Sequence, residues 1–313
     1  MLIFDKGQLG RVAGEQGFVR DTYEKVLRIA EVLRFMNADP LLSEHLVLKG
    51  GTAINLLIAD MPRLSVDIDM DVVPDMPKDE MLALRKDIEE VISGYMSAEG
   101  YSYNQASRRS YSLDGLLYNY TNAGGNQDHI KIELNYSLRS HLFEAADRPM
   151  KSLNLQTDFT VRCLDSVEIY AAKANALMSR AAARDLYDFS YMISNKLLTG
   201  QEDLFRKAII FYATISADKV NKEFDLTAMD KITPSKIRRD LFPVLRTRGR
   251  FDLDEHKRIC REYLTELMKP TESEMEYMRL FESREYRPEL LFEDPAIVER
   301  IRNHPMALWK CRT

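Results

Sequence analysis

Between Leu46 and Val72 the chain reads LVLKGGTAINLLIADMPRLSVDIDMDV, and its final strand-like segment is the tightest constraint in the sequence. From Ser65 to Val73 apolar and acidic residues alternate, and successive side chains on a strand point to opposite faces. Val66, Ile68 and Met70 can therefore meet a core while Asp67, Asp69 and Asp71 crowd onto the other face. Three like charges on one strand face repel and contribute nothing to folding. A bound divalent cation turns that cost into a use.

The remainder of the chain sets the frame for that strand. Its 313 residues are enough for two domains, each with its own core. With 45% hydrophobic and 30% charged residues, the composition is that of a folded soluble protein. No apolar run reaches the roughly 18 residues of a membrane span, and the N-terminus lacks a basic segment followed by an apolar one. Three cysteines, Cys163, Cys260 and Cys311, are too few and too scattered for a disulfide framework or a zinc site, which fits a cytoplasmic location. The net charge of −5 excludes a basic nucleic-acid coat but leaves room for a local basic surface. Lys231, Lys236, Arg238, Arg239, Arg246, Arg248 and Arg250 form one candidate stretch, readable as an RNA contact or as a solvated helix face and loop.

Periodicity places a helix over 15–37, a short strand over 46–48, a helix from near Thr52, the carboxylate strand over 65–73 and a helix over 77–100. Strands near 102–109, 111–121 and 129–137 follow, the last two joined by a turn containing Asn122, Gly124, Gly125 and Asn126. Beyond Asp165 helical spacing dominates, over 165–179, 182–197, 201–222, 234–240, 253–268 and 271–283. The fold class expected is α+β: a domain over 1–155 with a small mixed sheet flanked by helices, then a helical domain over 156–313.

Three constellations carry chemistry. Lys49-Gly50-Gly51-Thr52 ends a strand and opens a helix, so it reads as a phosphate cradle of backbone N–H groups or as a plain tight turn. Asp67 and Asp69, two residues apart, can share a pair of ions and activate a hydroxyl for attack on phosphorus; an exposed acidic strand end is the competing reading. In DHIKIELNY, Glu133 projects away from Ile130, Ile132 and Leu134 and joins the aspartates only if its strand pairs beside theirs. His45 and His129 lack metal-ligand spacing, and Tyr187, Phe189 and Tyr191 read as core packing.

In order, KGGTAINL, RLSVDIDMD, the KIELNY strand, YAAKANALMSR and RDLYDF resemble the AbiEii/AbiGii-type nucleotidyltransferase toxins, to which the MenT-type toxins are related. The wider pattern is that of the DNA polymerase beta-like nucleotidyltransferase fold, and the resemblance covers roughly residues 20–260. It implies metal binding by Asp67 and Asp69, with Glu133 as the third acid, and nucleotide contacts by Lys49, Gly50, Gly51, Thr52 and Ser65. It further implies that Lys173 meets the triphosphate and that Asp185, flanked by Arg184 and Asp188, belongs to the same site, so that the helical domain completes the nucleotide site. From the residues alone, Asp185 and Asp188 at i,i+3 read as ordinary salt-bridge partners of Arg180 or Arg184. Lys173 and Asp185 lie about 120° apart on a continuous helix, so convergence on one ligand requires a break near 179–183.

The activity implied is transfer of an NMP from an NTP, with Mg²⁺ or Mn²⁺, to an RNA acceptor of the tRNA 3′-end type. The setting implied is a bacterial toxin–antitoxin or phage-defence pair with a cognate antitoxin and no membrane partner. In this reading Arg238, Arg239, Arg246 and Arg248 are the RNA contacts and Asp71 is a solvated strand end. Two rivals stand beside it: a transferase acting on protein or on itself with Ser65 as acceptor, and a nonenzymatic nucleotide-binding module.

Overall fold

The computed structural model describes residues 4–151, 159–180, 182–216, 224–247 and 249–312. The chain forms two compact units. The first comprises 1–139, 145–164 and 243–249; the second comprises 140–144, 165–242 and 250–313. The division near 164/165 falls later than the 155/156 expected from the sequence, because residues 160–163 add a strand to the sheet of the first unit.

The first unit opens with α1 (Lys6–Gln16), α2 (Arg20–Ala38) and α3 (Pro40–His45). A single helix over 15–37 is not observed. Gly17, at φ 78°, closes α1 in the left-handed conformation that glycine adopts without strain, and α2 starts afresh at Arg20. Next come β1 (Leu46–Lys49), the short α4 (Gly50–Ala53) that runs into a π-helical turn over Ile54–Ile58, and β2 (Asp67–Val72). After α5 (Lys78–Ala98) the strands are β3 (Ser102–Tyr103), β4 (Arg108–Arg109), β5 (Leu113–Thr121), β6 (Gln127–Asn135), β7 (Ala146–Pro149) and β8 (Thr160–Cys163).

Among the described residues these make one mixed sheet in the order β3-β5-β6-β2-β1-β8-β7, with β4 also on β5. β2 is central, antiparallel to β1 and parallel to β6. Ile68, Met70 and Val72 are buried, as the alternation requires. The chain returns late in the sequence to finish this unit: the Leu64 N–H donates to the Val244 carbonyl at 2.8 Å, and Arg63 bridges to Leu245.

The β5–β6 turn is fixed at both ends. Asn122 Oδ1 accepts from the N–H groups of Gly124 and Asn126, each at 2.9 Å. The Ala123 N–H donates at 2.8 Å to Glu24 of α2, whose other oxygen accepts at 2.7 Å from Arg28. Glu24 and Arg28 are buried together, and the guanidinium lies 4.4 Å from the Tyr120 ring centroid.

The second unit is helical: α6 (Ser166–Ser179), α7 (Ala183–Ser194), α8 (Glu202–Ser216), the single turn α9 (Pro234–Lys236) continued by a π-helical turn over Ile237–Leu241, α10 (Leu253–Leu267), α11 (Glu272–Glu282), α12 (Pro295–Ile301) and α13 (Pro305–Arg312). The expected helix over 201–222 is seen to Ser216, and 217–222 lie outside the described residues. Glu274 caps α11 through a reciprocal box with Thr271 and also takes Arg206 of α8 at 2.9 Å, so one buried acid ties two helices. Removing one member of a buried pair leaves the other charge uncompensated, at a cost of about 3–5 kcal/mol. Glu24→Ala, which strands Arg28 and frees the turn, should lower unfolding stability by about 3 kcal/mol in urea titration.

Candidate active site

Strand register assembles the polar face of the first unit. Lys49 on β1 lies opposite Asp69 on β2, and Asp69 lies beside Glu133 on β6. In-register residues point to the same side, so Lys49, Asp69 and Glu133 form a row across three strands. Asp67 stands one step along β2, beside Lys131. The condition on Glu133 is met: its strand does pair beside 67–71.

The glycines explain how the row is approached. Gly50 has φ 71°, and a Cβ there would fall 2.3 Å from Asp69 Oδ2. A Cβ on Gly51 would fall 2.8 Å from the Arg63 guanidinium and 2.9 Å from Ser65 Oγ. The Gly-Gly turn is thus the condition for packing the start of α4 directly against Asp69, Arg63 and Ser65. Thr52 turns inward and donates its hydroxyl to the Asp67 carbonyl, while Asn55 donates to the Gly51 carbonyl at 2.8 Å. Ser65 is buried, as is Arg63, which donates to the Leu64 carbonyl at 2.7 Å.

Crowding shows in the protonation of the row. Burial first, then the charges of Glu133 and Asp67, push the Asp69 carboxyl up to about 7, with Lys49 acting the other way. Burial also raises Glu133, but its 2.8 Å pair with Lys131 outweighs this and holds that carboxyl below the usual range. A shared proton relieves such crowding, and a divalent cation does so equally well. Among the described residues no group of three or more His, Cys, Asp or Glu side chains is gathered tightly enough to hold an ion unaided. Asp67 and Asp69 supply two carboxylates on one strand face, a donor set of the number that an ion of the Mg²⁺ kind takes when substrate phosphates and water complete its shell.

Asp71 departs from expectation. It is not a solvated strand end: it is 0% exposed, and its carboxylate is joined to the Lys49 ammonium. Lys49 is thus engaged within the site rather than free beside it.

In the second unit the break expected near 179–183 is present, since α6 ends at Ser179 and α7 begins at Ala183. It lets Lys173 reach Asp185 at 2.8 Å and Asp188 at 3.0 Å, while Arg180 reaches Asp185 at 3.0 Å. Both aspartates are buried. Burial raises Asp185, but the charges of Lys173 and Arg180 prevail and hold it low. Asp188, expected as a partner of Arg180 or Arg184, lies 3.0 Å from Lys173, while Arg180 takes Asp185 as that reading allows.

The basic stretch is divided between the units. Arg238 and Arg239 are exposed in the second, Arg239 pairing with Asp240 at 2.6 Å. Arg246 belongs to the first, where it donates to the Gln16 carbonyl at 2.5 Å and lies 4.7 Å from the Phe18 ring centroid. Arg248 lies outside the described residues. Arg184 donates to the Asp240 carbonyl at 2.8 Å. Phe189 is buried between Phe205 and Tyr263, whereas Tyr187 borders Phe251 and His256. His45 meets the Val73 carbonyl at 3.0 Å.

Comparison with known families decides the class: residues 34–273 match the family described as nucleotidyl transferase AbiEii toxin, type IV toxin–antitoxin system. The chain belongs to the AbiEii nucleotidyltransferase toxin family. Its fold is similar to that of MenT4, a nucleotidyltransferase toxin from Mycobacterium tuberculosis H37Rv, with a TM-score of 0.64 at 16% identity over 98% of this chain and 99% of that one. Comparison with curated protein sequences finds no match. The AbiEii assignment makes the chain a nucleotidyltransferase, with an NTP as substrate and an antitoxin as partner. Among the described residues no helix is long and apolar enough to cross a membrane.

Two outcomes follow from the geometry. The native state holds a proton on Asp69 that the unfolded chain has already released, so this group's stabilising contribution is complete below pH ~4 and is lost as pH rises through about 7. Urea titrations between pH 5 and 8 should show stability falling by up to about 1.4 kcal/mol per pH unit from this site, and Asp69→Asn should remove that slope. Gly50→Ala should cost at least about 1–2 kcal/mol, because it adds left-handed strain to a contact with Asp69; circular dichroism melts would measure the loss.

Proposed function

We propose that this AbiEii-family toxin is a Mg²⁺-dependent enzyme, also served by Mn²⁺, that transfers an NMP from an NTP to an RNA acceptor of the tRNA 3′-end type. The acceptor hydroxyl forms a bond to the α-phosphorus, the bond to the pyrophosphate oxygen breaks, and the hydroxyl proton leaves to a base. The observation carrying this reading is the row Lys49–Asp69–Glu133 with the Gly50 backbone set against Asp69. It joins a cation-binding face to a side-chain-free helix start.

Each residue's task follows from its place. Asp67 and Asp69 hold the cation, which when bound supplies charge neutralisation and Lewis-acid polarisation at phosphate oxygens. Gly50, Gly51 and Thr52 offer backbone to the phosphates, and Lys49 adds positive charge where negative charge develops. Ser65, buried against the Gly51 backbone, backs the turn that meets the phosphates. Glu133 adds a third acidic oxygen once it releases Lys131. In the helical unit Lys173, its ammonium held by Asp185 and Asp188, matches the family's triphosphate lysine. Arg238 and Arg239 remain the exposed candidates for RNA backbone contact. Self-modification at Ser65 is the weaker reading, because that side chain is buried.

The test is incubation with total tRNA and each α-labelled NTP in turn, with Mg²⁺ or with EDTA. Label should enter RNA only with the ion, and Asp67→Ala or Asp69→Ala should lose at least a hundredfold in rate. Full transfer by Asp69→Ala would sink the metal assignment, and mass added to the protein in the absence of RNA would favour self-modification. Replacing Arg238 and Arg239 by Ala should weaken tRNA binding and flatten its salt dependence; unchanged binding removes those two residues from the interface.

A further inference from the structure

The third aspartate of the β2 face is the least exposed of the three, with its side chain 1% accessible. Placing a carboxylate out of water costs several kcal/mol unless a counter-charge and hydrogen bonds compensate. Across the sheet Asp71 lies between the buried Val47 and the half-buried Asn135, and an apolar residue at 71 would pack on Val47 without the cost of a buried charge. Packing alone does not account for an acid at this position.

The behaviour of Lys49 does. Register sets Lys49 directly opposite Asp69, with Asp71 on the diagonal, two residues further along β2. The ammonium passes its direct partner and joins the diagonal one. Directly opposed positions are the closer ones, and diagonal neighbours are within reach only of long side chains. Asp69 is thereby left to face the Gly50 backbone.

We infer that Asp71 is a positioning residue, tethering the Lys49 ammonium at the buried end of the face so that it stays off the cation-binding carboxylates while keeping its charge beside the nucleotide. This rests on the reading of that face as the nucleotide site. Without the tether Lys49 falls back on Asp69, its direct cross-strand partner, and competes with the cation for that carboxylate. Loss of Asp71 is therefore felt as a weakened metal site, and removal of Lys49 cancels the effect.

Mn²⁺ alone is the probe, its binding followed by electron paramagnetic resonance on the full chain, beside the Mg²⁺ concentration giving half-maximal NMP transfer. Asp71→Asn should weaken Mn²⁺ binding about tenfold and raise the Mg²⁺ requirement similarly, with kcat at saturating Mg²⁺ changed less. Lys49→Met placed on Asp71→Asn should restore Mn²⁺ affinity to at least the wild-type value while the KM for NTP stays raised. Should Asp71→Asn fail to fold, the comparison of Lys49→Met with the double variant Lys49→Met/Asp71→Leu decides. Their Mn²⁺ affinities should agree within twofold, because Asp71 reaches the metal face only through Lys49. Wild-type affinity in Asp71→Asn, no restoration by Lys49→Met, or a tenfold gap in the second pair overturns the proposal. Wild-type protein that binds no Mn²⁺ overturns it together with the metal assignment. If the Mn²⁺ pattern holds and no acceptor takes label, the positioning role stands and the transfer reading falls.

Discussion

The Asp69 carboxylate occupies the space that a side chain at position 50 would need, and the rest of the first unit is arranged around that contact. It requires a glycine with a left-handed backbone at the end of β1, and a second glycine so that Arg63 and Ser65 can close in behind. It requires β1 and β2 to be antiparallel in the one register that sets Lys49 against Asp69. Sliding a strand by one residue would send every carboxylate of β2 to the opposite face, so the core residues Ile68, Met70 and Val72 hold the site in place as firmly as any polar contact.

Charge in the two units is managed by the same means. In the sheet, a cluster of acids is balanced by Lys49 and Lys131, each assigned to a different carboxylate. Among the helices, Lys173 and Arg180 face Asp185 and Asp188. Both are partly or fully withdrawn from water, where an unpaired charge is expensive and a paired one is fixed in orientation. Such networks hold reactive groups at defined positions before a ligand arrives, which is the condition for electrostatic work on a phosphate.

Much of this was legible from local pattern. Alternation over 65–73 gave the acidic face, helical spacing gave the elements after Asp165, and the order of five short motifs gave the family. The misses share a cause. The single helix expected over 15–37 missed the stop at Gly17, because glycine's backbone freedom carries no hydropathy signal. The short strands β7 and β8 were unread because four-residue edge segments are specified by their neighbours rather than by their own periodicity. The partner of Arg246, the Gln16 carbonyl, lies 230 residues away in sequence and was likewise out of reach of local pattern.

The sequence by itself determined which residues share a face, the turn between β5 and β6 and which chemistry the family carries, because these depend on spacing along the backbone. Only the tertiary structure decided that Glu133 stands beside Asp69, that Lys49 answers to Asp71 and that Lys173 of one helix reaches the Asp185–Asp188 pair of the next. Those facts depend on register between distant strands, on the angle between two helices and on what covers each group from water. No local pattern encodes them, since the same alternation serves an exposed carboxylate and a buried one equally well.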